Sequence, residues 1–482
     1  PGMHSSQNEQ DSRNYAIGAK VPMLEPADSA ECFEYTKIAF DISEKFDTPV
    51  LLRLSTRISH SQGIVEHTES PPRSERKAKE PYLKNAQKYV MMPAFARPKH
   101  VMVEERTLKL IEYAETSPLN IVELNSEAEN SAAGGSPVGV ISSGVAYQYA
   151  KEALGDSASY LKLGLIHPLP VKLIQDFASK VKKLYVIEEL DPVIETHCRN
   201  IGLNPIGKSL FTNIGEFSQN YLKEKILGEQ KKYKSFPEAV PMRPPVLCAG
   251  CSHRGVFYVL NKLGVMVSGD IGCYTLAATL PLSAMDTTIC MGASVSALHG
   301  FIKARGDYAD KAVGVIGDST FIHSGITGLI DIAYNKSNST VIILDNSTTG
   351  MTGHQNNPAN GLDIHGEPAV SVDLEALCKA VGINKVSVIV PDNLNEIERV
   401  VKEHLNSNEP NVIITRKPCA LLKTSKKNPA LTADESKCTG CKLCMKLGCP
   451  AISVKEKKAV IDRTLCVGCG LCEQLCKFGA FV

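Results

Sequence analysis

The fold is decided by Ala312-Val-Gly-Val-Ile-Gly-Asp-Ser and, further on, Thr340-Val-Ile-Ile-Leu-Asp-Asn. Gly317-Asp318-Ser319 is followed by 26 residues and then by Asn346. The run before Asp318 is apolar and short, as in a strand of a parallel sheet buried on both faces. Ile326, Leu329, Ile330, Ile332 and Ala333 then recur near helical spacing, and 340–344 reads as a second buried strand. The unit is strand–helix–strand, with polar residues at the C-terminal end of each strand, where open parallel sheets bind ligands. Asp318 offers a carboxylate, Asn346 an amide oxygen, and the backbone near Thr348 a carbonyl. Magnesium takes such hard oxygen donors and shares its octahedron with phosphate and water. Gly317 lets the backbone approach closely, and a following helix N-terminus favours negative charge. The alternative is an ordinary strand-to-helix turn, since Gly-Asp-Ser is frequent in loops.

The whole chain sets bounds on this reading. Its 482 residues exceed one core and predict several domains. Lys and Arg number 53 against 52 Asp and Glu, so the balance gives no general attraction to nucleic acid or a membrane surface. No apolar run reaches membrane-spanning length. The opening Pro1-Gly2-Met3-His4 has no signal-peptide character and reads as the inside of a longer chain. There are 16 cysteines, and half of them fall beyond Lys437 at short spacings. In a long chain without a secretory signal, this predicts metal or cluster ligands in a reducing compartment, the cytoplasm of an anaerobe.

Composition divides the chain at about 66, 135, 238 and 428. Residues 1–66 read as α/β, with a helix over 30–46 (Phe33, Ile38, Ala39, Ile42, Phe46) and a buried strand over 48–54. His4, Gln7, Asn8 and Glu9 crowd a polar loop, either a pocket wall or a solvated segment. Arg53, Thr56, Arg57, Ser59 and His60 follow the strand, where an arginine holds a carboxylate ligand or makes a surface salt bridge. Residues 67–135 read as a linker and docking segment, with Pro71-Pro72, mixed charge over 73–80, a helix over 103–113 and a small-residue polar stretch over 126–136. Residues 136–238 alternate strand and helix, predicting a small parallel-sheet domain. Its Glu188-Glu189 pair is suited to acid–base work or, more simply, to a helix cap or surface charge. Residues 204–241 read as loop. In 239–428, Cys248 and Cys251 form a C-x₂-C, and Gly269-Asp-Ile-Gly272-Cys273 places another cysteine at a strand end. A small-residue helix starts near Met291, a loop rich in Gly and hydroxyls follows Thr348, strands lie over 386–390 and 412–415, and Cys419 comes after Pro418.

The tail, 429–482, carries a duplicated pattern. Cys438, Cys441 and Cys444 are followed by Cys449-Pro450; Cys466, Cys469, Cys472 and Cys476 repeat the order. This resembles a bacterial-type ferredoxin domain with two 4Fe–4S clusters. In that pattern one cluster takes Cys438, Cys441, Cys444 and Cys476, and the other Cys449, Cys466, Cys469 and Cys472. Two features depart from it: four residues, not three, precede Cys449, and Lys477 stands where a second proline is usual. Zinc is the alternative occupant of four-cysteine sites.

The 317–346 stretch resembles the diphosphate motif of thiamine-diphosphate enzymes, with Ser319 an accepted variant in third place. A thiamine module joined to a ferredoxin module resembles the 2-oxoacid:ferredoxin oxidoreductases. Within them the chain is similar over its length to indolepyruvate:ferredoxin oxidoreductase alpha subunits. The resemblance rests on Pro1-Gly-Met-His-Ser-Ser-Gln-Asn-Glu-Gln-Asp, Lys45-Phe-Asp-Thr-Pro-Val-Leu-Leu-Arg, Pro244-Pro-Val-Leu-Cys-Ala-Gly-Cys-Ser-His-Arg, Gly269-Asp-Ile-Gly-Cys-Tyr-Thr-Leu, Gly317-Asp-Ser, Met351-Thr-Gly-His-Gln and the tail. It implies an α/β fold of several parallel-sheet domains of thiamine-diphosphate-enzyme type plus a ferredoxin domain. Residues 1–66 would be the end of a pyrimidine-binding domain, 136–238 a transketolase C-terminal-like domain and 239–428 the thiamine diphosphate and magnesium domain. It implies cofactor contacts from Gly272, Cys273, Gly317, Asp318, Ser319, Asn346 and Thr348, with magnesium on Asp318, Asn346 and Thr348. The acidic residue that activates the thiamine ring is expected ahead of Pro1. Cys248, Cys251, Cys273 and Cys419 match in order a set that holds a further cluster in related enzymes; buried free thiols are the alternative. The implied reaction converts aryl pyruvates and coenzyme A to aryl-acetyl-CoA, with a smaller beta subunit as partner and ferredoxin as electron acceptor. Pyruvate or 2-oxoglutarate:ferredoxin oxidoreductases share these motifs, and a non-enzymatic electron carrier explains the tail alone.

Overall fold

The computed structural model describes residues 8–66, 81–125, 138–229 and 244–482. His4, Gln7, the 71–80 segment, the 126–136 stretch and the basic run from Lys231 lie outside the described residues. The chain divides into two compact units, Pro1–Glu238 and Ala239–Val482.

The first unit is built on a four-stranded sheet. Its order is Asn120–Glu123, Ser159–Leu163, Val138–Ser143, Lys183–Ile187; the last three are parallel and the first is an antiparallel edge. The edge strand escapes a sequence reading because Ile121 and Val122 both stay partly exposed and give no alternation. A second small sheet joins Leu51–Leu52, Met23–Leu24 and Leu165–His167. The buried strand expected over 48–54 is corrected here: only Leu51–Leu52 pairs, at a sheet edge, and Leu51 is exposed. The helix Ser29–Phe46 begins one residue before the expected start, for a local reason. Asp28 accepts from Glu31 N, satisfying one of the first turn's orphan donors, while the Glu31 carboxylate accepts from Ala27 N just ahead of the cap. The helix expected over 103–113 extends over Pro93–Glu115; Pro93 occupies the first turn, where its missing N–H costs nothing, and the helix also accommodates Pro98. The loop reading of 204–241 missed the helix Gln219–Leu227, capped by the Ser218 hydroxyl.

Glu188 and Glu189 are buried, not surface charges. Glu188 accepts from Ile194 N, Glu195 N and Arg13 Nη1, so it caps the helix Val193–Asn200 and neutralises a buried guanidinium. Arg53, read as holding a carboxylate ligand or making a surface salt bridge, pairs with Glu25 inside the protein, and Arg57 pairs with Glu216. Glu9 accepts from Gly215 N.

The second unit carries a six-stranded, fully parallel sheet. Its order is Lys385–Ile389, Asn411–Arg416, Thr340–Asp345, Ala312–Gly317, Met266–Gly269, Thr287–Thr288. Ala312–Gly317 and Thr340–Asp345 are buried at every position, as their unbroken apolar runs predict. From Met266–Gly269 the chain moves outward to Thr287–Thr288; from Ala312–Gly317 it moves the opposite way. The strand order therefore reverses between these two neighbours, and a crevice opens beyond their C-terminal ends. Beyond the sheet, the hairpin Ile452–Lys455 with Lys458–Ile461 and the short helix Leu471–Leu475 form the cysteine-rich segment. It packs on the sheet domain as one core, in which Leu247, Phe257 and Leu282 join Cys444, Leu447 and Cys472. Among the described residues no helix is long and apolar enough to cross a membrane.

Candidate functional site

The crevice at the strand reversal is a cleft open to solvent. Gly272, Cys273, Gly317, Asp318, Ser319, Asn346 and Thr348 all line it, together with His253, Tyr274 and the loop 349–352. The sheet brings them together: Gly317 is paired with Leu344 in parallel register, so Asp318 and Asn346 leave adjacent strand ends. After Gly317 the chain turns helical at Asp318–Thr320, passes through a π-turn over Phe321–Gly325 and continues as Ile326–Tyr334. Ile330, counted on the apolar face of that helix, is instead exposed. Such single π-turns cluster at functional sites.

Asp318 is 2% exposed. Burial, reinforced by the charge of Asp345, pushes its pKa up to about 7. Asn357 Nδ2 donates to it at 3.1 Å. A buried carboxylate held this way favours a cation beside it. The Asn346 amide has a defined orientation. Its Nδ2 lies 3.4 Å from His253 Nε2, and its Oδ1 accepts from Thr348 N at 3.4 Å. His253 is buried, and burial lowers its pKa to about 4, so the ring is neutral and Nε2 can accept the amide proton. The amide oxygen is thereby kept on the acceptor side of the group, shared with Thr348 N.

Sequence reasoning assigned no role to four further groups. Tyr274 accepts from Gly317 N at 3.0 Å and donates to Ile271 O at 3.1 Å, tying the two strand ends together. Its ring would lie 2.5 Å from a Cβ at Gly272 and 3.1 Å from one at Gly317, so both glycines permit its close approach. Asp270, fully buried, accepts from the backbone of Ile271, Gly292 and Ser294 and fixes the start of the helix Ala293–Ala304. His253 lay in a quoted motif, but nothing in its spacing points to Asn346. Asn357 carries no sequence signal, because it reaches Asp318 from a loop 39 positions downstream.

Twelve of the sixteen cysteines gather in three places. Cys438, Cys441, Cys444 and Cys476 line one small cavity. Cys449, Cys466, Cys469 and Cys472 line another. Backbone N–H groups point at the sulfurs, from Ala459 to Cys438 (3.3 Å), Gly468 to Cys466 (3.5 Å) and Ala480 to Cys476 (3.4 Å), as suits thiolates. Cys248, Cys251, Cys273 and Cys419 form the third group. Burial pushes the Cys251 thiol up to about 12, with Cys248 and Cys273 adding to it. Cys273 is raised by burial, with Cys419 and Cys248 adding. Cys419 N donates to Asn346 O at 2.9 Å, so this group adjoins the cleft. Gly448, immediately before Cys449, adopts φ +64°. Among the described residues no three His, Cys, Asp or Glu side chains are gathered as ligands of a single metal ion.

A diphosphate cleft beside cysteine-lined cavities defines a class, and comparison with known proteins states it. Residues 270–415 match the thiamine pyrophosphate enzyme C-terminal TPP binding domain, and residues 459–482 match the 4Fe-4S binding domain. The chain is an oxidoreductase joining thiamine-dependent 2-oxoacid chemistry to iron–sulfur electron transfer. More particularly, it belongs to the family of indolepyruvate oxidoreductase subunit IorA. It is 38% identical to the Pyrococcus horikoshii subunit, in an alignment spanning 100% of this chain and 80% of the relative. The Archaeoglobus fulgidus subunit is also 38% identical, over 99% of this chain and 79% of the relative. Among solved structures, the 2-oxoglutarate:ferredoxin oxidoreductase from Magnetococcus marinus is similar at 16% identity and a TM-score of 0.34, covering 38% of this chain and 67% of that one.

Proposed function

We propose that the chain catalyses oxidative decarboxylation of aryl pyruvates, indolepyruvate foremost, to aryl-acetyl-CoA, and passes the electrons through 4Fe–4S clusters to ferredoxin. It works in the cytoplasm with a smaller beta subunit. The observation that carries this reading is adjacency: Cys273 belongs both to the cleft and to the third cysteine group. Thiamine diphosphate, when bound, supplies the carbanion chemistry that accepts a 2-oxoacid carbonyl. The chain's own residues do the rest. Asp318, the Asn346 amide oxygen and the Thr348 carbonyl hold magnesium, and Gly317, Ser319 and Gly272 leave room for the diphosphate. Neutral His253 fixes the Asn346 amide, and Tyr274 holds the cleft closed at its floor. Cys438, Cys441, Cys444 and Cys476 hold one cluster, and Cys449, Cys466, Cys469 and Cys472 a second. Cys248, Cys251, Cys273 and Cys419 hold a third, nearest the thiamine. By the same resemblance residues 1–66 belong to a pyrimidine-binding domain, 67–135 to a linker, 136–238 to a transketolase C-terminal-like domain, 239–428 to the thiamine domain and 429–482 to the ferredoxin domain.

The test is viologen reduction by the gene product, co-expressed with its partner and kept anaerobic, with coenzyme A and a panel of 2-oxoacids. Preference for indolepyruvate or phenylpyruvate supports the reading. Preference for pyruvate or 2-oxoglutarate replaces the substrate and leaves the mechanism. No reduction by any 2-oxoacid with clusters intact leaves an electron carrier.

A further inference from the structure

Arg254 is the largest of the fully buried side chains, 2% exposed at the start of the helix Arg254–Leu263. Among the described residues no carboxylate pairs with it. Its Nη1 donates to Leu447 O at 2.6 Å, and its Nη2 donates to Cys248 O at 2.9 Å and to Leu247 O. Its Nε has no hydrogen-bond partner among the described residues. A buried cation facing only carbonyl dipoles is costly unless an anion completes its surroundings. The side chain lines the same cavity as Cys449, Cys466, Cys469 and Cys472, and one of its carbonyl partners belongs to Cys248 of the third group. It is therefore a fixed positive charge between two cysteine sets.

We propose that Arg254 is a positioning residue that sets the reduction potential of the cluster held by Cys449, Cys466, Cys469 and Cys472, favouring its reduced state. The inference rests on the cluster reading given above. Reduction adds one negative charge to a cluster, and a nearby cation in a low-dielectric interior stabilises that charge. The guanidinium does not deprotonate in proteins, so the bias is constant with pH. The same residue clamps the loop before Cys449 to the loop of Cys248, so it orders the gap electrons would cross.

The experiment is an anaerobic redox titration followed by electron paramagnetic resonance on the complex with its partner. It needs neither thiamine diphosphate nor substrate. Loss of one signal in Cys466→Ser assigns the cluster. In Arg254→Gln, loaded with its full iron, the midpoint falls by about 59 mV or more, a tenfold change for one electron. In Arg254→Lys, which keeps the charge, it stays within about threefold, close to the wild type. An unchanged midpoint in a loaded Gln variant overturns the proposal. If the Gln variant does not load, the Lys variant decides: a midpoint lowered tenfold, or failure to load as well, shows that the guanidinium fork acts only as a clamp. A wild type without 4Fe–4S signals would instead defeat the underlying cluster reading.

Discussion

Gly250 is where the loop of Cys248 and Cys251 meets the cysteine-rich segment, and Gly250→Ala tests how tightly that junction is built. Gly250 has φ +70°, and a Cβ there would lie 2.1 Å from Val467 Cγ2. The left-handed conformation costs a non-glycine residue about 1–2 kcal/mol. Val467 is β-branched and stiff about χ1, so it cannot swing aside cheaply. Overpacking of this kind adds about 1–3 kcal/mol, which brings the expected loss to about 2–5 kcal/mol. Val467→Ala on its own removes two methyl groups at a half-buried position and costs about 1 kcal/mol. In the double variant the overpacking contribution disappears and the left-handed strain remains. The two changes should therefore be coupled by about 1–3 kcal/mol in the stabilising direction. The assay is denaturant unfolding of all four proteins under anaerobic conditions, with iron content measured on each. A Gly250→Ala chain as stable as wild type, or a strictly additive double variant, would show that the junction yields and would refute the reasoning.

Three other outcomes follow from the site and its surroundings. Asp318 has a folded-state pKa of about 7, above its ordinary 3.8, so its contribution is retained at low pH and lost as pH rises through 7, reaching about 4 kcal/mol at most. Asp318→Asn should then melt higher than wild type at pH 8 without ligand, yet gain nothing from thiamine diphosphate with magnesium; a variant that melts lower, or still gains, contradicts this. Iron analysis should give about twelve atoms per loaded chain and about eight in Cys419→Ser; eight in the wild type would remove the third cluster. Arg13→Met, which strands Asp11 and Glu188 as buried acids, should cost about 3–5 kcal/mol in thermal or denaturant melts, and a neutral result would show water reaching that network.

What was legible in the sequence is what local chemistry encodes. The strands Ala312–Gly317 and Thr340–Asp345 announce themselves by unbroken apolar runs, and their polar ends mark the cleft. Asp318, Asn346 and Thr348 were found because spacing along the chain matches spacing across two paired strands. The eight cysteines of the tail declare themselves by repetition. The missed groups fail this test for a common reason. Tyr274, Asp270 and Asn357 act on backbone or side chains distant in sequence, and only the strand order brings them there. The strand expected over 48–54 failed differently. Its apolar residues suggest burial on both faces, whereas the sheet it joins contributes only two pairs at that edge. Glu188 and Glu189 stood out as a pair, but their burial depends on Arg13, on the helix N-terminus that Glu188 caps and on Phe217 N, which donates to Glu189, and no local pattern shows these.

Asn346 connects the two halves of the proposed reaction. Its side-chain oxygen is left toward the cleft because neutral His253 takes the amide proton. Its backbone oxygen accepts from Cys419, a member of the third cysteine group. Cys273, another member, lines the cleft and starts the short helix whose Tyr274 bonds Gly317 ahead of Asp318. A shift of the metal-bearing strand ends therefore moves two of the four thiols with it. In the proposed reaction, the group that would receive electrons and the residues that would hold the diphosphate are then one mechanical unit, linked by hydrogen bonds. This predicts that His253→Ala, which frees the Asn346 amide to rotate, should weaken binding of thiamine diphosphate with magnesium, measured by titration calorimetry, by about tenfold, the equivalent of about 1.4 kcal/mol and one lost hydrogen bond. His253→Asn, which can still present an acceptor, should recover part of that loss, and equal binding by wild type and His253→Ala would show that Asn346 is oriented by Thr348 alone.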